Sequence, residues 1–322
     1  MCALYPLRFE PIFRRYLWGG RRLGTLLGKP IGAGEDYAES WEVADHGKDQ
    51  SVVLNGPLAG KTLAQLTAQF GDALTGVAPP LDRFPLLLKY LDAHRVLSVQ
   101  VHPDDARAAR LQPPDLGKTE AWVILSAAPG SVLYAGLRAG TARQNVVDAL
   151  RRGTVAELLH RVEPRVGDCF FIPAGTVHAI GGGLLLAEIQ QASDATFRLF
   201  DWNRHGPDGQ PRRLDIDAAL DVIDFQSGPI SAQTPREVRS QVVTRLVCAT
   251  AFSIDRWHWR NSEVLGGDGR FHLVTVSDGQ APLRHPAAEL DMVRGQSCLV
   301  PACCQVELVA AEGCTMLDAH LP

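Results

Sequence analysis

The 322-residue chain is 46% hydrophobic and 21% charged, enough apolar content to bury a substantial core in one elaborate domain or two. Its 32 Lys and Arg against 36 Asp and Glu give a net charge of -4, which excludes a diffuse positive field for holding nucleic acid or an anionic membrane. Any anionic ligand must be caught locally. Residues 1–20 carry Arg8, Glu10, Arg14 and Arg15 without an unbroken apolar stretch, and no later segment has the length of a membrane span, so a cytoplasmic location is expected. The seven cysteines (Cys2, Cys169, Cys248, Cys298, Cys303, Cys304, Cys314) are odd in number and lack CxxC spacing. They are expected to be reduced, mostly buried thiols rather than a disulfide framework or a cysteine zinc site.

In chain order, residues 61–74 place Leu63, Leu66, Phe70 and Leu74 at helical spacing. Strands are predicted over 86–91 and 96–102. Lys89 lies in the first of these, where an unpaired charge is costly, so it faces a pocket or pairs with an acid. Further strands are predicted over 121–126 and 131–136, then helices over 141–150 and 154–160, each opening on a threonine able to cap. Strands over 168–172, 184–191 and 196–202 follow, then a polar turn at 207–211 and a helix over 215–225 with Leu220 and Ile223 on one face. Residues 226–238, rich in Ser, Gly, Pro and Gln, read as a linker. Beyond it 245–247, 252–259, 271–276 and 305–309 read as strands, with Trp257-His258-Trp259 as edge or core packing.

Many short strands without a strand-helix-strand cycle indicate a mainly β chain, a jelly roll or barrel with helical insertions. An internal echo divides it. Residues 166–174 and 293–302 share a Gly, a strand and then Pro-Ala (Gly167 and Pro173-Ala174 against Gly295 and Pro301-Ala302). Where the first copy continues to His178, the second places Val306. Two related modules are expected, a catalytic one over 1–228 and a degenerate one, without metal, over 229–322.

Four residues form a candidate metal set: Gln100, His102, Glu120 and His178. Leu97, Val99 and Val101 alternate with Ser98, Gln100 and His102, so Gln100 and His102 point the same way, and an extended 118–120 puts Lys118 beside Glu120 on one face. Two imidazoles, a carboxylate and an amide suit one divalent ion such as zinc that keeps a position open, the pattern of a catalytic rather than a structural site.

The segment Gly167-Asp168, strand, Pro173-Ala174-Gly175 and His178 resembles the second metal-binding motif of the cupin superfamily; Gln100, His102 and Glu120 resemble its first motif with a wider gap. The resemblance sharpens over 84–93, 97–104, Gly117-Lys118-Thr119-Glu120-Ala121-Trp122, Gly175-Thr176-Val177-His178 and 190–201, together with 15–20 and 38–43. These motifs, in order, are similar to type I mannose-6-phosphate isomerases, particularly the short bacterial form, from about residue 7 to residue 225. Larger members have His-Lys-Pro-Glu where Gly117-Lys118-Thr119-Glu120 stands here, so a role for that histidine does not carry over, and their long helical domain has no room in this chain.

The resemblance implies a cupin fold and a zinc-dependent interconversion of mannose 6-phosphate and fructose 6-phosphate, with the four candidate ligands matching the family's metal ligands. Arg198 stands where the family has its active-site arginine, and Lys118 where it has a lysine beside the metal carboxylate. Lys118, Asp194 or a zinc-bound hydroxide is the candidate base, and Arg198 suits an enediolate or phosphate rather than proton abstraction. Lys89, Trp18 and Glu39 are candidate substrate contacts. The competing readings are an iron-dependent cupin oxygenase and a sugar-phosphate-binding regulatory cupin. A small-molecule sugar phosphate is the expected partner, with no nucleic acid and no membrane; the sequence does not give the oligomeric state.

Overall fold

The structure, a computed structural model, describes residues 4–205, 209–309 and 313–322. It is mainly antiparallel β and divides into two compact units, one of residues 15–20 and 91–233 and one of residues 1–14, 21–90 and 234–322. Among the described residues no helix is long and apolar enough to cross a membrane.

In the first unit a five-stranded sheet runs in the order Phe197–Phe200, Val99–Val101, His178–Ile180, Leu133–Leu137, Leu159–Val162. Opposing it, Glu120–Ala127 is paired on one side by Cys169–Ile172 and on the other by Leu184–Gln191. Alternation decides which side chains go where. Val99, Val101, Leu199 and Ala179 join a fully buried apolar cluster with Val146, Ala149 and Ala219 of the helices Arg143–Arg152 and Ile216–Val222. Each of the valine and leucine side chains contributes about 1.5–3 kcal/mol by leaving water. Gln100, His178 and Arg198, at intervening positions, therefore turn to the opposite face of the sheet.

The predicted strands between 86 and 202 are all present, Leu184–Gln191 with the predicted bounds and the others with shifted ends, Val99–Val101 being the most shortened. Two helix expectations are corrected. Residues 154–160 form a single 3-10 turn, Val155–Leu158, followed by the strand Leu159–Val162, because Leu159 pairs with Leu137 and the ladder captures the chain. Residues 61–74 form two short helices, Leu63–Phe70 and Asp72–Thr75, separated at Gly71, whose φ of 49° a side chain would resist. Thr62 caps the first of these: its Oγ1 accepts the Gln65 N–H at 3.2 Å while Gln65 Oε1 accepts the Thr62 N–H at 3.0 Å. Thr141 does not cap; its hydroxyl donates to the Arg138 carbonyl at 2.7 Å, and Asn145 Oδ1 instead accepts the Ala142 N–H at 2.8 Å. Residues 207 and 208 of the expected polar turn lie outside the described residues.

In the second unit, residues 236–320 build two sheets of their own. One is six-stranded, running Arg236–Arg239, Val243–Cys248, Ser253–Trp257, Thr315–His320, His272–Asp278, Ser297–Val300; the other runs Glu263–Gly266, Gln305–Leu308, Gln280–His285, Ala288–Val293. The echo seen in sequence is structural. Gly167 and Gly295 both take positive φ (89° and 84°), each precedes a four-residue strand, and a Pro-led turn follows. The next strand carries His178 in the first copy and a buried Val306 in the second. The second copy thus repeats the turn and strand without the histidine.

N-terminal segments complete this unit. Leu7 exchanges backbone hydrogen bonds with Leu299 at 2.8 and 2.9 Å, and Phe84 packs on Phe271 with ring centroids 4.7 Å apart. Lys89 is buried; its Nζ lies 3.8 Å from Glu39 Oε2, to which Trp41 Nε1 donates at 2.6 Å. Of the two sequence alternatives for Lys89, pairing with an acid is therefore present. Cys169, Cys248, Cys298, Cys304 and Cys314 are free thiols, whereas Cys303 is disulfide-bonded, which corrects the expectation of seven reduced cysteines at that position. Cys2 lies outside the described residues.

Candidate metal centre

The site is assembled across one row of the five-stranded sheet. Arg198 pairs with Gln100, Gln100 with His178, and His178 with Ala135, so their side chains stand side by side on the face turned away from the helices. Glu120 enters from the opposing strands, in register with Ile172 and Gln190. His102, Glu120 and His178 bring one ligand atom each to within 4.8 Å of one another, all buried. His178 Nε2 lies 3.2 Å from Glu120 Oε1, and His102 Nε2 lies 3.4 Å from Glu120 Oε2. The Gln100 amide meets His178 Nε2 at 3.2 Å.

Both imidazoles are oriented from behind. His102 Nδ1–H donates to the Ala195 carbonyl and His178 Nδ1–H to the Thr176 carbonyl, each at 2.9 Å, so each neutral ring directs its Nε2 lone pair inward. Burial first, then the Lys118 charge, pushes the His102 pKa down to about 3. Burial likewise lowers that of His178. Burial alone would raise the Glu120 pKa, but Lys118, His102 and His178 outweigh it and hold the carboxyl well below its usual range. Two imidazole lone pairs thus face two carboxylate oxygens at close range, an arrangement of acceptors against acceptors that a cation between them relieves. Glu120 Oε2 accepts no hydrogen bond of acceptable geometry despite complete burial. The His102, Glu120 and His178 donor set fits a divalent metal, and the Gln100 atom beside it is the amide nitrogen, Nε2.

Lys118 is buried beside this cluster, as the alternation over 118–120 predicts: its Nζ is 3.1 Å from His102 Nε2 and 3.2 Å from Glu120 Oε2. Arg198 is half-buried, donating from Nε to Ser98 Oγ at 3.2 Å and from Nη1 to the Arg213 carbonyl at 3.1 Å. Burial, then Arg212, lowers its pKa from the ordinary guanidinium value. Asp194 is exposed; its backbone N–H donates to Asp115 Oδ2 at 3.2 Å. Trp18 is buried and stacks on Tyr16 with centroids 5.5 Å apart. Lys89 and Glu39 form their pair in the other unit.

Three residues of this site escaped the sequence reading. Trp122 sits two positions after Glu120 on the same face, its ring edge-on to His178 with centroids 5.3 Å apart, and its Nε1 donates to Glu188 Oε2 at 3.1 Å. Glu188 and Gln190 face inward from the neighbouring strand, opposite Trp122 and Glu120, and both are buried. Their period-two spacing within Leu184–Gln191 was the available signal. Gln190 Nε2 donates to the Gln191 and Ser193 carbonyls at 2.9 and 2.6 Å, bracing the loop that leads to Asp194.

Residues 7–120 match the family model for phosphomannose isomerase type I, catalytic domain. Mannose-6-phosphate isomerase ManA of Bacillus subtilis is 36% identical over 301 residues, covering 92% of this chain and 93% of the relative. A mannose-6-phosphate isomerase of Streptococcus mutans is 32% identical, covering 92% of each. Among solved structures, the mannose 6-phosphate isomerase of Bacillus subtilis superposes with a TM-score of 0.90 at 30% identity, covering 99% of this chain and 100% of the other. With the buried His102–Glu120–His178 cluster in place and likeness over nearly the whole length of both chains, the protein belongs to the type I mannose-6-phosphate isomerase family.

Proposed function

We propose that this protein is an aldose–ketose isomerase interconverting mannose 6-phosphate and fructose 6-phosphate with one divalent ion, zinc by preference, held by Gln100, His102, Glu120 and His178. The observation that carries the reading is the pair of backbone-anchored imidazoles aiming their Nε2 atoms at both oxygens of buried Glu120. Moving a carbonyl between C1 and C2 means taking a proton from one carbon and returning it to its neighbour through an enediol. The ion, when bound, supplies Lewis acidity toward the substrate oxygens. Lys118 Nζ, buried against Glu120 and His102, is the proposed carrier of the proton; exposed Asp194 is the second candidate. Arg198, in the same row as Gln100 and His178, holds the enediolate or the phosphate through its planar fork. Lys89, Glu39 and Trp18 are proposed to contact the sugar phosphate.

The division into a catalytic module over 1–228 and a degenerate one over 229–322 is part of this proposal, supported by two sheets whose strands all come from residues 236–320. A cytoplasmic location is part of the same proposal. The test is conversion of mannose 6-phosphate by purified protein before chelation, after it, and after adding back zinc, manganese, cobalt or iron singly. Activity that vanishes with the metal and returns with one of them is expected. No turnover by folded, metal-loaded protein would overturn the reading.

A further inference from the structure

Gln190 is 1% exposed and stands directly opposite Glu120 in the pairing of Leu184–Gln191 with Glu120–Ala127. Opposed residues of an antiparallel pair point to the same face, with Cβ atoms about 4.5–5.5 Å apart, so the Gln190 amide rises beside the Glu120 carboxylate. Its two ends are used differently. Nε2 donates to the Gln191 carbonyl at 2.9 Å and to the Ser193 carbonyl at 2.6 Å, which consumes both amide protons. Turning the amide over would set its oxygen against those two carbonyls, so its orientation is fixed. Oε1 is buried and accepts no hydrogen bond among the described residues.

A buried acceptor without a donor is costly, and the donors on this face are committed elsewhere. Lys118 Nζ lies against His102 Nε2 at 3.1 Å and Glu120 Oε2 at 3.2 Å, and Trp122 Nε1 donates to Glu188 Oε2. A bound molecule that completes Gln190 Oε1 is constrained in its chemistry. The amide is neutral and has no proton left to give, so its oxygen repels a phosphate or carboxylate oxygen and suits a hydroxyl, which donates. A sugar carries hydroxyls on successive carbons. Under the isomerase reading the C1 and C2 oxygens lie at the set of His102, Glu120 and His178, and the next hydroxyl along the chain, on C3, falls to the cross-strand neighbour of Glu120.

We propose that Gln190 Oε1 binds the C3 hydroxyl of the open-chain sugar phosphate, which makes Gln190 a substrate-recognition residue of the isomerase. The proposal rests on the isomerase reading and extends it to a residue that holds no metal and moves no proton.

Turnover of mannose 6-phosphate and of its 3-deoxy and 4-deoxy analogues by metal-loaded protein, followed by proton NMR, tests it. In the native protein the 3-deoxy compound should lose at least about 10-fold in kcat/KM relative to mannose 6-phosphate, because it leaves the buried acceptor unpaired. Gln190→Met, with no acceptor, should bring the ratio of the two substrates close to one. Gln190→Glu removes the same two N–H donors but keeps an oxygen acceptor, and should preserve the discrimination; it separates contact with the sugar from the bracing of residues 191–193. Equal kcat/KM for the two substrates in the native protein would overturn the proposal without any variant, as would discrimination that survives in Gln190→Met or is lost in Gln190→Glu. Discrimination against the 4-deoxy compound alone, released in Gln190→Met, would overturn the assignment to C3. No turnover of mannose 6-phosphate by folded, metal-loaded native protein overturns the isomerase reading together with the proposal, whereas turnover without this pattern overturns the role of Gln190 alone.

Discussion

Arg198 lies directly opposite Gln100 in the antiparallel pairing of Phe197–Phe200 with Val99–Val101, so the guanidinium and the amide share one face of the sheet with His178. Its fork is held by Ser98 Oγ and the Arg213 carbonyl, two acceptors a lysine ammonium cannot meet in the same plane. Arg198→Lys is expected to keep the fold and full metal content while lowering kcat by about 10²-fold, the cost typical of a displacement near 1 Å at a reacting centre. Steady-state kinetics beside metal analysis checks this; near-native kcat would remove Arg198 from the reaction.

His178→Ala deletes a ligand whose ring is wholly buried and anchored by the Thr176 carbonyl. Loss of an outer partner of a ligand typically costs 10–100-fold in metal affinity, so loss of the ligand itself should exceed about 100-fold. Turnover should vanish with an unchanged far-ultraviolet circular dichroism spectrum, and a competitive chelator titration reads the affinity directly.

Lys118→Met and Asp194→Asn separate the two candidates for the base. Lys118 is buried with its Nζ 3.2 Å from Glu120, while Asp194 is exposed. The first substitution is expected to lower kcat by about 10²–10⁴-fold with metal retained. The second should change it by less than an order of magnitude. The reverse ranking would move the proton to Asp194.

Trp122→Phe removes the Nε1 donor that reaches buried Glu188 Oε2 at 3.1 Å. Leaving a buried carboxylate short of a donor costs about 1–3 kcal/mol, to be seen as a lower denaturant midpoint at unchanged slope. Replacing Glu188 by Gln in the Trp122→Phe background should recover part of that loss, because a neutral amide is cheaper to bury than a carboxylate.

His272 makes stability depend on pH. Its Nδ1 lies 2.9 Å from Asp318 Oδ2 and its Nε2 lies 3.2 Å from Asp268 Oδ1, so both nitrogens face carboxylates and the imidazolium is the form that satisfies them. Burial alone would lower its pKa, but the two carboxylates raise it from 6.5 to about 9. A folded pKa above the unfolded one gives stabilisation that is complete below pH 6.5 and is lost as the pH rises to about 9. The amount is roughly 3 kcal/mol, since one pKa unit is about 1.4 kcal/mol. Unfolding midpoints should fall across this interval in the native protein, and His272→Gln should flatten the decline.

The sequence by itself determined which face each short strand presents. Alternation in 97–102, 118–120 and 196–199 put Gln100, Lys118, Glu120 and Arg198 on polar faces, and the Gly167 and Gly295 turns made the repeated module legible, because side-chain direction in a strand and φ at a glycine are local properties. Only the tertiary structure decided what those faces meet. Gln100 and His178 are 78 residues apart and adjacent in space; Trp122 and Glu188 are 66 apart and hydrogen-bonded. Such registers come from ladder pairing and burial, which no window of neighbouring residues contains. The same non-local pairing turned Leu159 from an expected helix into a strand, buried Lys89 against Glu39, and left Asp194 in solvent while it closed a dry pocket around Glu120.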